Sequence, residues 1–126
     1  MQRSLVGSEM CIRDRPKVIN RDLSLKRNGN IFIGGQLSGV EGNVESAATG
    51  LLSAIYLWRK LENLKFENIP LTTILGSLVN YLIMSSPKSF QPMNATYGIL
   101  LDRVGLSKMD CYTRSIEEIK KWKMTW

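Results

Sequence analysis

From residue 16 onward the apolar positions fall into short blocks of different period, separated by glycine, proline and asparagine. Val18, Ile19, Leu23 and Leu25 alternate with polar residues between Lys17 and Leu25. The run Lys26-Arg27-Asn28-Gly29-Asn30 then supplies a turn, because an Asn-Gly pair accepts positive φ. Ile31-Phe32-Ile33 predicts a short strand that stops in Gly34-Gly35. The order is strand, glycine turn, helix.

That helix starts near Gly42-Asn43 and runs to about Leu61, and its acidic first turn suits the positive end of the helix dipole. Ala47, Gly50, Leu51, Ala54, Ile55 and Trp58 share one stripe at helical spacing. The stripe is small at its N-terminal end, which predicts close approach to a sheet or a ligand. Lys60 to Pro70 reads as a polar connection. Leu71 to Met84 predicts a second helix with Leu75, Leu78, Val79 and Leu82 on one side. The segment Ser85 to Asn94 holds two prolines and cannot continue it, so it is a loop. Ser107, with Asp110 three positions on, marks the cap of a third helix reaching Lys121 or so.

Residues 1–15, MQRSLVGSEMCIRDR, show neither period 2 nor period 3.6 and end at Pro16. They read as a non-native, adapter-like or disordered leader, leaving residues 16–126 as the folded part. Cys11 falls in that leader.

The composition narrows the function classes. At 126 residues, 44% apolar and 22% charged, the chain can bury one small core and is too apolar to be disordered. Seventeen basic against eleven acidic side chains give +6, which favours anionic partners. The excess is spread along the chain and forms no basic arm. With no histidine and two cysteines a hundred positions apart, neither a zinc site nor a His-based triad is expected. No apolar run reaches 18 residues, so the chain reads as cytoplasmic and not membrane-bound.

Two segments can carry chemistry. In Ile31 to Gly50, a strand ends in glycines and opens a helix, offering unhindered N–H groups and a positive dipole end to phosphate or other negative charge. The same glycines also suit turns and close packing. The segment is neither a Walker loop nor GxGxxG. The second segment, Ser89-Phe90-Gln91-Pro92-Met93-Asn94-Ala95-Thr96-Tyr97-Gly98, is a loop dense in side chains that stack or hydrogen-bond. Phe90, Met93 and Tyr97 could equally pin that loop to the domain.

The string GGQLSGVEGNVESAATGLLSAI, followed about forty residues later by SFQPMNATYGIL, closely resembles the C-terminal part of the folate- and FAD-dependent tRNA (uracil-5-)-methyltransferases, the TrmFO family of GidA-like flavoproteins. The segments GSLVNYLI and PKVINRDLSLKRNGNIFIGGQ also resemble that family, so the likeness runs from Pro16 to roughly Leu101. It implies an α/β fold, the C-terminal part of a glutathione-reductase-type Rossmann FAD domain, with short strands and about three helices.

The resemblance further implies an enzyme that reduces FAD with NADPH or NADH and takes a one-carbon unit from 5,10-methylenetetrahydrofolate. Its product would be C5-methylated uridine in the tRNA T-loop. Gly35, Gln36, Gly39, Val40 and Glu41 would line the flavin, mostly through main-chain contacts, and Phe90, Gln91, Asn94 and Tyr97 would face folate or tRNA. Asn43 stands where family members commonly carry tyrosine. The family's GxGxxG turn and reactive cysteine lie upstream of the matched region, so no catalytic residue is assigned here, and Cys111 matches no family cysteine. The expectation is an inactive C-terminal fragment that needs the N-terminal part of the same polypeptide. A ribosomal RNA methyltransferase of the same family and a non-catalytic basic RNA-binding module stay open as alternatives.

Overall fold

The computed structural model describes residues 18–86, 90–101 and 104–125. The proposed leader 1–15 and Ser89 lie outside the described residues. Among the described residues three α-helices carry the fold: α1 (Asn43–Leu61), α2 (Ile74–Met84) and α3 (Lys108–Lys123). Single 3-10 turns, Gly35–Ser38 and Tyr97–Ile99, sit before α1 and after α2.

Among the described residues, β-structure is limited to isolated bridges. Ile19 pairs with Leu25 and Ser24 with Phe32, both antiparallel, while Val40 pairs with Met93 in parallel. The strand expected at Ile31-Phe32-Ile33 is therefore a pair of single contacts: Leu25 N–H donates to Ile31 at 2.9 Å and Ile33 N–H to Leu23 at 3.0 Å. The reason lies in the partner segment. Asn20 and Ser24 close a tight turn that places Leu23 at φ 66, and a left-handed residue interrupts a ladder. Asp22 fixes the turn by accepting the Ser24 N–H at 3.0 Å.

α2 begins three residues later than its apolar pattern suggests. Thr73 caps it, accepting the Gly76 N–H at 2.9 Å and donating to the Pro70 carbonyl at 2.7 Å. A Cβ on Gly76 would lie 2.0 Å from that same carbonyl oxygen, so only glycine fits the cap. α3 starts with the expected capping box, Ser107 and Asp110 exchanging bonds at 3.1 and 3.3 Å.

α2 lies between two apolar clusters and does not keep its apolar residues on one side. Val79, with Leu75 and Ile83, joins Ile19, Leu23, Leu52, Tyr56, Ile69 and Trp122. Leu78 and Leu82 join Val40 and Phe90. α3 closes the first cluster through Trp122, whose indole N–H donates to the Glu67 carbonyl at 3.0 Å. Arg59, buried at the end of α1, donates to the carbonyls of Lys65 and Thr125 and so ties the connection and the chain's end to α1.

Tyr56 stands at the centre of the first cluster, edge-on to Phe66 and Trp122, and its hydroxyl accepts the Ile69 N–H at 3.1 Å. Burial pushes this hydroxyl up from 10.0 to about 12, against the opposing pull of the Ile69 bond. The unfolded chain loses the proton near pH 10 while the folded chain holds it. Stability from this group is therefore full below pH 10 and falls as pH rises from 10 towards 12. Chemical denaturation at pH 9 and pH 11 should show wild type losing about 1 kcal/mol more than Tyr56→Phe between the two. At pH 9 the variant should be less stable by about 1–3 kcal/mol, because the Ile69 N–H is left buried without its acceptor.

Candidate functional site

The glycine segment is shaped by its backbone. Gly35, Gly39 and Gly42 adopt φ of 67, 97 and 99, a region costly for residues with a side chain. A Cβ on Gly39 would lie 2.5 Å from the Phe90 ring, so the ring packs directly on the backbone. Gly34 approaches α1 as closely: its Cβ would lie 2.9 Å from the Cα of Gly50.

Two hydroxyls on the inner face of α1 hold this segment in place. Thr49, fully buried, accepts the Gly35 N–H at 2.9 Å and lies 3.0 Å from the Glu45 carbonyl. One turn further on, Ser53 donates to the Ile33 carbonyl at 2.7 Å. Ser38 closes the 3-10 turn on the Gly35 carbonyl at 2.6 Å. The inner face of α1 is therefore Thr49, Leu52, Ser53, Tyr56 and Arg59. Within the stripe expected to make the close approach, Gly50 makes it, its backbone lying against Gly34, whereas Ala47, Leu51, Ala54 and Trp58 are exposed and Ile55 is half-buried. Hydrogen-bonding hydroxyls one turn apart decided the inward face, and hydrophobic period alone does not report them.

The structure brings the two candidate segments together. Glu41 N–H donates to the Met93 carbonyl at 3.0 Å, and Met93 N–H donates to Gly39 at 3.1 Å. Asn94 adds a side-chain bond to the Glu41 carbonyl at 3.1 Å, and Glu45 accepts the Ala95 N–H at 3.2 Å. This clasp places the loop against the first turn of α1, where no side chain caps the helix at Gly42. Ser46 is the first amide bonded back along the helix, to Gly42. The amides of Asn43 to Glu45 thus form the usual orphan set at the positive end of the dipole.

The nine sequence-predicted residues occupy distinct settings. Gln36 and Glu41 are exposed beside the helix start, and Gly35 is half-buried. Gly39 and Val40 are buried, Val40 within the second apolar cluster. Gly35, Gly39 and Glu41 use their N–H groups inside the chain, on Thr49, Gln36 and Met93. The first-turn amides of α1, by contrast, have no acceptor within the helix. Phe90 is 3% exposed and packs on Tyr81 with ring centres 5.6 Å apart. The Asn94 amide is engaged in the clasp, the Gln91 side chain is exposed, and Tyr97 is half-buried with the Lys108 ammonium 5.6 Å from its ring. Sequence reasoning missed the roles of Glu45, Thr49 and Ser53; the signal was hydroxyls four apart inside an otherwise apolar helix.

Residues 9–65 match the family GIDA, glucose inhibited division protein A. The chain is 35% identical over 116 residues to the methylenetetrahydrofolate–tRNA-(uracil-5-)-methyltransferase TrmFO of Streptococcus agalactiae, covering 86% of this chain and 26% of that protein. Over most of its length the chain is TrmFO-like. Against TrmFO of Natranaerobius thermophilus the identity is 41% over 85 residues, 68% of this chain and 20% of the relative. Against TrmFO 1 of Mesoplasma florum it is 38% over 109 residues, 85% and 25%. A match over 86% of 126 residues leaves fewer than 20 outside, so the glycine segment and the Phe90–Tyr97 loop of the TrmFO-like chain both lie within it. The chain spans about a quarter of the length of the curated relatives it matches. No helix among the described residues is long and apolar enough to cross a membrane.

Two glycines give opposite expectations for alanine. Gly39→Ala combines a positive φ with overlap on a buried ring, and should cost more than 1 kcal/mol in urea denaturation. Gly50→Ala sits mid-helix with nothing within 4 Å of its Cβ, and should stabilise the isolated chain by about 0.5–1 kcal/mol.

Proposed function

We propose that the chain forms one wall of the cofactor site of a flavin- and folate-dependent RNA (uracil-5-)-methyltransferase. The observation that carries this reading is the clasp: the glycine segment and the Met93–Ala95 loop are hydrogen-bonded together at an uncapped helix N-terminus. An anionic ring edge is stabilised there by amides already fixed in direction. The residues fit such a group, because Gln36, Glu41, Gly42 and Asn43 are all exposed around those amides.

In this reading the parent fold is a glutathione-reductase-type Rossmann domain. Gly35, Gln36, Gly39, Val40 and Glu41 form the flavin wall: Gln36 and Glu41 meet the cofactor, while Gly35, Gly39 and Val40 shape the backbone behind them. Gln91, Asn94 and Tyr97 face the substrate side, and Phe90 supports that loop from the core. FAD, when bound, relays electrons and the one-carbon unit from NADPH or NADH and 5,10-methylenetetrahydrofolate. The chain's own part is to orient that cofactor, keep water from one edge and hold the substrate loop at a fixed distance. The substrate proposed is the T-loop uridine of tRNA, in the cytoplasm, and the net charge of +6 suits a polyanion.

A chimera tests this. Residues 16–126 would replace the matching segment of the Streptococcus agalactiae relative, and the product would be assayed with unmodified tRNA, methylenetetrahydrofolate and NADPH or NADH. The chimera should purify yellow and form 5-methyluridine, while the isolated chain should purify colourless. Flavin retention without methyl transfer to tRNA would sink the tRNA methyltransferase reading, and transfer to ribosomal RNA alone would move the substrate.

A further inference from the structure

α1 carries a second apolar surface that the fold does not use. Val44, Ala47, Leu51, Ala54, Trp58 and Leu61 recur at alternating spacings of three and four, and every one is exposed. Val44 is 79% exposed, Leu51 64%, Trp58 45% and Leu61 71%. Spacing of this kind keeps one narrow seam on one side of a helix for its full length. Between Ser46 and Trp58 the helix holds no charged residue at all. Glu45, the nearest acid, turns to the Ala95 N–H. The chain thus buries the hydroxyl-bearing face of α1 and presents the purely apolar one to solvent. A contiguous apolar surface of this kind marks a contact.

We propose that this outer seam of α1 docks against the part of a TrmFO-like polypeptide that the present chain does not contain. This rests on the reading above, that the chain works as one part of a longer enzyme. Length argues for that occupant, because the relatives are roughly three and a half times as long and match this chain over only a fifth to a quarter of themselves. Ala47 and Ala54 keep the seam low between its larger residues, so another backbone can approach closely, and Leu51 and Trp58, two turns apart on the same side, stand up as anchors. A Cβ on Gly50 would meet nothing within 4 Å, so its smallness answers no need inside this chain. Position argues for it as well. The seam begins at Val44, in the same first turn whose amides form the candidate site, so docking there would complete the site's opposite wall.

The experiment compares each substitution in two contexts. Leu51→Glu and Trp58→Glu are made in the isolated chain and in the chimera described above, with Tyr112→Glu on the exposed side of α3 as the control. In the isolated chain both seam substitutions should leave the melting temperature within about 1 °C and the sedimentation coefficient unchanged. In the chimera each should lower the melting temperature by about 5–10 °C, because a charge is forced into a covered apolar contact. The control should be silent in both. Seam substitutions that leave the chimera's melting unchanged overturn the proposal, even if that chimera methylates RNA. An isolated chain that sediments as a dimer and becomes monomeric with Leu51→Glu assigns the seam to a second copy and overturns it too. A chimera that is destabilised by both substitutions yet transfers no methyl group supports the docking face and rejects the functional reading.

Discussion

Two hydrogen bonds, one that Thr49 accepts from the Gly35 N–H and one that Ser53 donates to the Ile33 carbonyl, are the constraint on which the rest of the site depends. They bring an irregular segment against a helix without intervening side chains, which is why glycine stands at position 34, against the Cα of Gly50. Because both bonds join the helix to main-chain groups, they fix where the segment runs as well as how closely it packs. From that line the positive φ values at Gly35, Gly39 and Gly42 turn the chain back to the start of α1. An apolar contact could hold the segment near the helix, but it would not set its register.

α2 transmits the same constraint to the second motif. Its Val79 side belongs to the Tyr56 cluster and its Leu78 and Leu82 side to the Val40 and Phe90 cluster. One rigid helix therefore positions both the core that supports α1 and the ring on which Gly39 rests. Phe90 acts through packing, whereas the polar atoms near it do the joining: Tyr81 holds the Gln91 carbonyl at 3.0 Å and Asn94 holds Glu41.

Much of this was legible in the sequence, and the parts that were not share a cause. The bounds of α1 and the cap of α3 follow from local signals, a glycine before an acidic turn and a serine three residues before an aspartate, and they stand where those signals put them. The late start of α2 was also encoded locally, in Thr73 and Gly76, but a cap threonine is hidden when the apolar period continues through it. The inward face of α1 was not legible. Periodicity shows that a helix has an apolar stripe and is silent about which partner is present to cover it. The pairing of Gly39 with Phe90, like the Val40–Met93 bridge, joins positions more than fifty residues apart, and no pattern within either segment announces it.

The Val40–Met93 bridge has a consequence for motion. The clasp is two main-chain hydrogen bonds and two that involve side chains, and none of its polar atoms belongs to the Tyr56 cluster. Separating it leaves the contacts of α1 with Thr49, Ser53 and Tyr56 intact. That separation would also part Met93 from Val40, and so disturb the second apolar cluster. The loop at Met93–Ala95 is thus joined to the helix start by burial as well as by hydrogen bonds, and the first turn of α1 and the second apolar cluster move as one.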